Sequence, residues 1–259
     1  MALLEIRDLT INFGGLRAVA GFNLFLETGD LKGLIGPNGA GKTTVFNMLT
    51  GVYRPDTGRV ALEDKSLIGL KPHQITSLGL SRTFQNIRLF KGLSVLDNVR
   101  IALHLGARCS VAEAVFRLPR YYAEEKRIAD RAIELLSVFR LDDRKDAIAS
   151  GLPYGEQRRL EIARALATNP KVLLLDEPAA GMNPQESQEL MSLIKWINKE
   201  FNLTILLIEH HMEVVMGVCQ RITVLDYGVT IAEGSPGEIK RNPRVIEAYL
   251  GEEVRDAGD

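Results

Sequence analysis

The chain has 259 residues, enough for one large domain or two modest ones at roughly 150 residues per domain. Its 46% apolar and 25% charged residues are those of a soluble globular protein with a substantial core, and 32 basic against 33 acidic residues give no broad basic face for nucleic acid, although a local basic patch stays open. The only cysteines, Cys109 and Cys219, lack metal-ligand spacing, so no disulfide is expected and a reducing compartment fits.

The opening "MALLEIRDLTINF" alternates apolar and polar residues and carries charges early, so it reads as a strand rather than a signal peptide. From Leu3 to Leu34 the pattern is strand, turn, strand, turn, strand, with turns at Gly14–Gly15 and Thr28–Asp30. A helix-compatible "TTVFNMLTGV" follows Gly36, then a turn "RPDTG" and a short strand "RVALED". Between about Gln85 and Ser150 the texture is helical. "LSVLDNVRIALHL" opens on Ser94 three residues before Asp97, and a longer helix lines up Ile128, Ala132, Leu135, Leu136 and Phe139 on one face. "GLPYGEQRRLEIARA" then reads as a glycine-bearing turn opening a helix whose N–H groups suit an anion.

The remainder alternates again. "KVLLLDE" and "LTILLIEH" are buried strands around a helix "SQELMSLIKWINKE". A helical "MEVVMGVC", a hairpin "ITVLDYGVTIAEG", a short helix and a loose tail "VRDAGD" complete the chain. Alternating buried strands and helices predict an α/β parallel-sheet core with the helical block inserted into it. No apolar run reaches the roughly 18 residues that a membrane span needs, so any membrane role must go through a partner.

"GPNGAGKTT", Gly36 to Thr44, matches the pattern of a phosphate-binding loop between a strand-like "LKGLI" and a helix. Glycines let successive N–H groups converge on phosphate oxygens, Lys42 adds a flexible positive charge, and the Thr43 hydroxyl suits Mg²⁺. "VLLLDEP" supplies acids: Asp176 to lie beside the metal, commonly through water, and Glu177 to polarise an attacking water. His210 ends another strand, and its neighbour His211 would point to the opposite face, so the two are poorly placed to share a metal ion.

The order of "LPYGEQRRLEIARAL" immediately before "VLLLDEP" resembles the ABC-transporter ATPases, whose signature reads LSGGQ; here Pro153 and Tyr154 replace the serine and first glycine. The resemblance covers about Leu3 to Leu250. It implies a P-loop NTPase fold with a RecA-like parallel-sheet core, an N-terminal antiparallel β subdomain and an inserted helical subdomain. A division at residues 1–84, 85–165 and 166–259 of a single ATPase domain follows from it. Phe13 matches the aromatic that stacks on adenine, Gln85 in "RTFQNIRLF" the Q-loop glutamine, "AAGMNP" the D-loop and His210 the switch histidine.

On this resemblance the cofactors are ATP and Mg²⁺. The nucleotide is held by Phe13, Gly36, Pro37, Asn38, Gly39, Ala40, Gly41, Lys42, Thr43 and Thr44, and in trans by Tyr154, Gly155 and Glu156. Thr43, Gln85 and Asp176 are the metal residues, and Glu177, His210 and Gln85 the catalytic ones. The implied partners are a second ATPase subunit packed head to tail (a shorter relative or a second copy), permease subunits and, indirectly, a solute-binding protein, with no nucleic acid. The implied location is the cytoplasmic face of the inner membrane.

Within the family the wording is most similar to the ATP-binding subunits of branched-chain amino-acid importers. "HLGARCSVAEAVFRLPRYYAEEKR" is also similar to the longer of their two ATPase subunits. Another importer or a lipid-export ATPase is the main alternative. A soluble ATPase acting on nucleic acid or ribosomes lacks its usual coiled-coil or zinc insertions here, and a regulatory subunit without turnover is disfavoured by Asp176, Glu177, Gln85 and His210.

Overall fold

A computed structural model describes residues 2–107, 109–210 and 212–256. The chain forms two compact units, of which Asn86–Pro170 is inserted between the two halves of the other. The inserted unit therefore closes at Pro170 rather than at residue 165, and it takes in the whole helix that follows Pro153.

The larger unit opens with β1 (Leu4–Phe13), β2 (Leu16–Leu26), β3 (Leu31–Ile35), α1 (Lys42–Leu49), β4 (Thr57–Leu62), β5 (Lys65–Ser66), α2 (Pro72–Leu78) and β6 (Leu80–Arg82). After the insertion come β7 (Val172–Asp176), which is preceded by the insertion's α3 (Val95–Leu103), α4 (Val111–Val115), α5 (Pro119–Val138) and α6 (Tyr154–Ala167). The chain ends with α7 (Pro184–Glu200), β8 (Thr204–Ile208), α8 (Met212–Val218), β9 (Arg221–Asp226), β10 (Val229–Gly234), α9 (Pro236–Lys240) and α10 (Pro243–Asp256).

Strands β2-β1-β4-β5 make an antiparallel sheet, and β10-β9-β3-β8-β7-β6 a second sheet that is parallel except for the β9–β10 hairpin. β7 and β8 are buried along their whole length, which is why they read as unbroken apolar runs rather than as alternations. Leu4, Ile6, Phe22 and Leu24 of the first sheet share one core with Val45, Phe46 and Leu49 of α1 and with Leu34, Leu174 and Leu206 of the second. α1 is the filling between the sheets, so the loop that feeds it is held from both sides.

In the inserted unit α3, α5 and α6 pack on one another. Val95, Val99, Ile128, Ala132, Leu135, Leu136 and Phe139 are buried there, the stripe expected of α5 among them. Ser94 caps α3, its Oγ accepting the Asp97 N–H at 3.0 Å while its hydroxyl donates to the Asp97 carboxylate at 2.8 Å.

Three details differ from the sequence reading. α2, β5 and β6 were not expected, because "PHQITSL" shows little apolar periodicity and "LSR" is too short to show any. α10 runs to Asp256, three residues into the stretch read as a tail, and the last three residues lie outside those described. β8 stops at Ile208, so His210 lies beyond the strand and not at its end; Glu209 and His210 make the turn out of the sheet.

Candidate functional site

Register sets where the motifs meet. Leu34 of β3 pairs with Ile208 of β8, and Ile208 pairs with Asp176 of β7. Gly36, Glu177 and His210 therefore all leave the sheet at the carboxyl edge of neighbouring parallel strands, where open α/β sheets bind ligands.

The loop after β3 is shaped by glycine at two positions. Gly36 has φ +150°, and a Cβ there would lie 2.0 Å from the Leu225 carbonyl oxygen. Gly41, at φ +103°, is the N-cap of α1, and a Cβ there would lie 2.7 Å from the Ala18 carbonyl oxygen. Asn38 and Gly39 are exposed at the crest, while Gly36, Pro37 and Ala40 are buried. Lys42 is only 7% exposed, and its Nζ donates to the carbonyls of Gly36 (2.6 Å) and Pro37 (2.8 Å). A buried ammonium, a helix start without acidic residues and an exposed crest form a cradle for an anion. Thr43 is exposed at the first turn of α1, and Thr44 is half-buried.

The acids lie on the next strand but one. Asp176 is 2% exposed, and its Oδ2 accepts from Arg82 Nη2 at 2.7 Å. Glu177 follows in the left-handed region at φ +46°, an uncommon conformation for a glutamate, with its N–H held by the Ile208 carbonyl at 2.9 Å. Gln85 Nε2 donates to Glu177 Oε2 at 2.8 Å, and His210 Nδ1 lies 3.6 Å from the same oxygen. Two residues named from the sequence, Gln85 and His210, thus converge on the carboxylate of a third, although 92 positions separate Gln85 from Glu177.

Among the described residues no three His, Cys, Asp or Glu side chains gather as a metal site. The oxygen-donor set of Thr43, Asp176 and the Gln85 amide fits Mg²⁺, which keeps waters and shares phosphate oxygens rather than sitting in an all-protein cage. The exposed loop crest and buried Lys42 likewise fit a nucleotide's phosphates. His211 lies outside the described residues, so the histidine-pair geometry has no structural counterpart.

Phe13 is 45% exposed at the end of β1, and Tyr53 packs edge-on against it with ring centroids 5.2 Å apart. Tyr53 was not singled out from the sequence. It stands two residues past Gly51 in a turn, and only the fold brings it beside Phe13. Arg82 was missed for the same reason, since "LSR" carries no pattern of its own.

In the inserted unit α6 begins after Pro153, whose side chain offers no cap. Gly155 is buried and Tyr154 is 45% exposed. The Tyr154 hydroxyl accepts from Nη2 of the fully buried Arg158 at 3.0 Å, and Arg158 pairs with buried Glu161 at 3.1 Å. Glu161 in turn accepts the Arg88 N–H at 3.0 Å. Glu156 lies in the first turn with its carboxylate 4.0 Å from Arg144, so its backbone N–H is the group it can offer an anion.

A model of the family described as ABC transporter matches residues 19–180, more than half of the chain. The chain belongs to the ABC transporter ATP-binding family. A second model, described as branched-chain amino acid ATP-binding cassette transporter, matches residues 229–255.

Among curated relatives of this ABC subunit, the high-affinity branched-chain amino acid transport ATP-binding protein BraF of Pseudomonas aeruginosa is 45% identical, covering 96% of this chain and 98% of the relative. Its Escherichia coli counterpart LivG is 46% identical over the same shares. The lipopolysaccharide export ATP-binding protein LptB of Escherichia coli is 35% identical, over 98% of this chain and all of the relative. A solved ATP-binding cassette of an ABC transporter in its ADP conformation superposes with a TM-score of 0.84 at 31% identity, covering 97% of this chain and 100% of that one. The α/β ABC ATPase fold is thereby established.

Proposed function

We propose that this chain is the Mg²⁺-dependent ATP-hydrolysing subunit of an importer for branched-chain amino acids. It works at the cytoplasmic face of the inner membrane on permease subunits served by an external binding protein. The observation that carries the reading is the convergence of Gln85 and His210 on Glu177, next to buried Asp176 and on the same sheet edge as the phosphate loop. The match of residues 229–255 and the relatives BraF and LivG support the amino-acid substrate over the lipopolysaccharide route that LptB's name describes.

Each residue has a physical task. The N–H groups of Gly36 to Thr44 and the Lys42 ammonium hold the phosphates, and Phe13, braced by Tyr53, offers a ring face to the base. Thr43, Gln85 and Asp176 would hold Mg²⁺ through their oxygens, and the ion would supply positive charge to the phosphates. Glu177 accepts a proton from the attacking water, with Gln85 fixing its carboxylate and His210 placed to reach the transferring group. A second ATPase subunit completes the site with the start of its own signature helix, as Tyr154, Gly155 and Glu156 of this chain would do for its partner. A solved dimer of another ATP-binding cassette, in a post-hydrolysis state bound to ADP and phosphate, matches this chain with a TM-score of 0.75 at 25% identity and supports pairing.

The native membrane complex tests the assembly, since permease subunits and a second ATPase are expected to co-purify. In that complex Glu177→Gln is expected to bind ATP but hydrolyse it about 10²- to 10⁴-fold more slowly. Near-normal turnover would remove Glu177 as the base. Stimulation by a binding protein carrying a different solute, and not by one carrying leucine, isoleucine or valine, would overturn the substrate.

A further inference from the structure

Arg82 ends β6, and its side chain is 5% exposed. Its Nη2 donates to Asp176 Oδ2 at 2.7 Å, while Nη1 donates to Asn47 Oδ1 at 2.7 Å and reaches Thr50 Oγ1 at 3.4 Å. The guanidinium also lies over two rings, 5.4 Å from the centroid of Phe46 and 5.0 Å from that of Phe84. Phe46 and Asn47 belong to α1, the helix that the phosphate loop starts, and Thr50 is its C-cap. Asp176 ends β7, and Phe84 immediately precedes Gln85. One side chain therefore touches all three segments that bear the residues named for the metal, Thr43, Asp176 and Gln85.

The next residue strengthens the hold, because Thr83 Oγ1 accepts the Asp176 N–H at 3.3 Å. Arg82, which ends the edge strand, and Thr83, which follows it, thus grip Asp176 by its carboxylate and by its backbone. Only a planar fork spans Asp176 and Asn47 while stacking on two rings; a lysine ammonium is a point charge on a flexible stem. Stability is a weak reason for a charge pair this deeply buried, since apolar side chains of similar volume often serve as well. Aim is the stronger reason, for a carboxylate that must meet a small ion demanding near-ideal octahedral geometry.

We propose that Arg82 is a positioning residue for the metal-bearing nucleotide. It fixes the direction of the Asp176 carboxylate relative to α1 and ties both to the segment leading into Gln85. The proposal rests on the nucleotide and metal reading given above. The contacts of Arg82 are with the Asp176, Asn47 and Thr50 side chains and with two rings, so it acts by placing other groups. Its loss is therefore expected to act on the metal-dependent part of nucleotide binding alone.

The test is equilibrium binding of ATP to the purified full chain, once with excess Mg²⁺ and once with EDTA, for the wild type, Arg82→Lys and Arg82→Met. Methionine keeps an apolar stem between the rings but removes the charge and the fork. Lysine keeps the charge and loses the fork, and it decides the matter by itself should the methionine variant not fold. With EDTA, both variants are expected within about twofold of wild type, because the loop and Lys42 are untouched. The gain that Mg²⁺ confers is expected to shrink by about tenfold in Arg82→Met, the scale of a lost charge-assisted contact, and by less in Arg82→Lys. A full Mg²⁺ gain in folded variants overturns the proposal. So does an equal loss with and without Mg²⁺, which marks a purely architectural arginine. A wild-type chain with no Mg²⁺ gain overturns the metal reading itself, and the role of Arg82 with it.

Discussion

The chain contains two helix starts suited to anions, and they are built differently. α1 opens from a left-handed glycine, carries no acid in its first turn and brings a buried lysine into the loop that precedes it. α6 opens from a proline with no side-chain cap, carries Glu156 in its own first turn, and has an exposed tyrosine pinned from beneath by a buried arginine. The first is an anion cradle complete within one polypeptide. The second offers N–H groups and a hydroxyl, and the cation facing its first turn, Arg144, lies 4.0 Å from the Glu156 carboxylate instead of being buried against a loop as Lys42 is. That asymmetry is what the proposed pairing of two ATPase subunits would use.

The contrast breaks first at the glycines. Gly36→Ala forces a Cβ against the Leu225 carbonyl and is expected to cost about 3 kcal/mol or more in thermal or urea unfolding. Gly151→Ala, where a Cβ meets nothing within 4 Å, is expected to stay within about 0.5 kcal/mol. Equal costs would mean that the two turns are equally strained. Lys42→Ala comes next, with a loss of about 2 kcal/mol in ATP binding, roughly thirtyfold by titration calorimetry. Unchanged affinity there would count against the whole cradle.

Tyr154→Phe removes one acceptor of a fully buried guanidinium that Glu161 also holds, and is expected to lower unfolding stability by about 1 kcal/mol while leaving ATP affinity of the isolated chain unchanged. A drop in that affinity would bring the tyrosine into its own chain's cradle and erase the asymmetry. The smallest effect separates the two units by thiol chemistry. Burial pushes the Cys219 thiol up to about 12, with Glu209 adding to the rise. Near neutral pH the native chain is therefore expected to take up one maleimide, at half-buried Cys109, and a second only on unfolding. Rapid double labelling of the native chain would contradict that burial.

The candidate site was legible where residue type and spacing carry the chemistry. Gly36 to Thr44 can be read because a tight loop, a lysine and a hydroxyl are adjacent in the chain. Asp176 and Glu177 can be read because they end an unbroken apolar run. Gln85 and His210 were named only through the family resemblance, since a lone glutamine or histidine carries no local signal. Tyr53, Arg82 and Arg158 escaped for a related reason: each matters through a partner that folding brings near, Phe13, Asp176 and Tyr154 respectively.

The sequence by itself determined the alternation of strand and helix, the inserted helical block, the phosphate loop and the acids that follow β7. These depend on periodicity and on chemistry between near neighbours in the chain, which need no tertiary contact to be expressed. Tertiary structure decided which strands lie side by side, and so which distant loops share an edge. It placed Glu177 between Gln85 and His210, and it set a buried arginine against Asp176. Those choices rest on long-range packing and on the need of a buried charge for a partner, and neither leaves a periodic trace in the sequence.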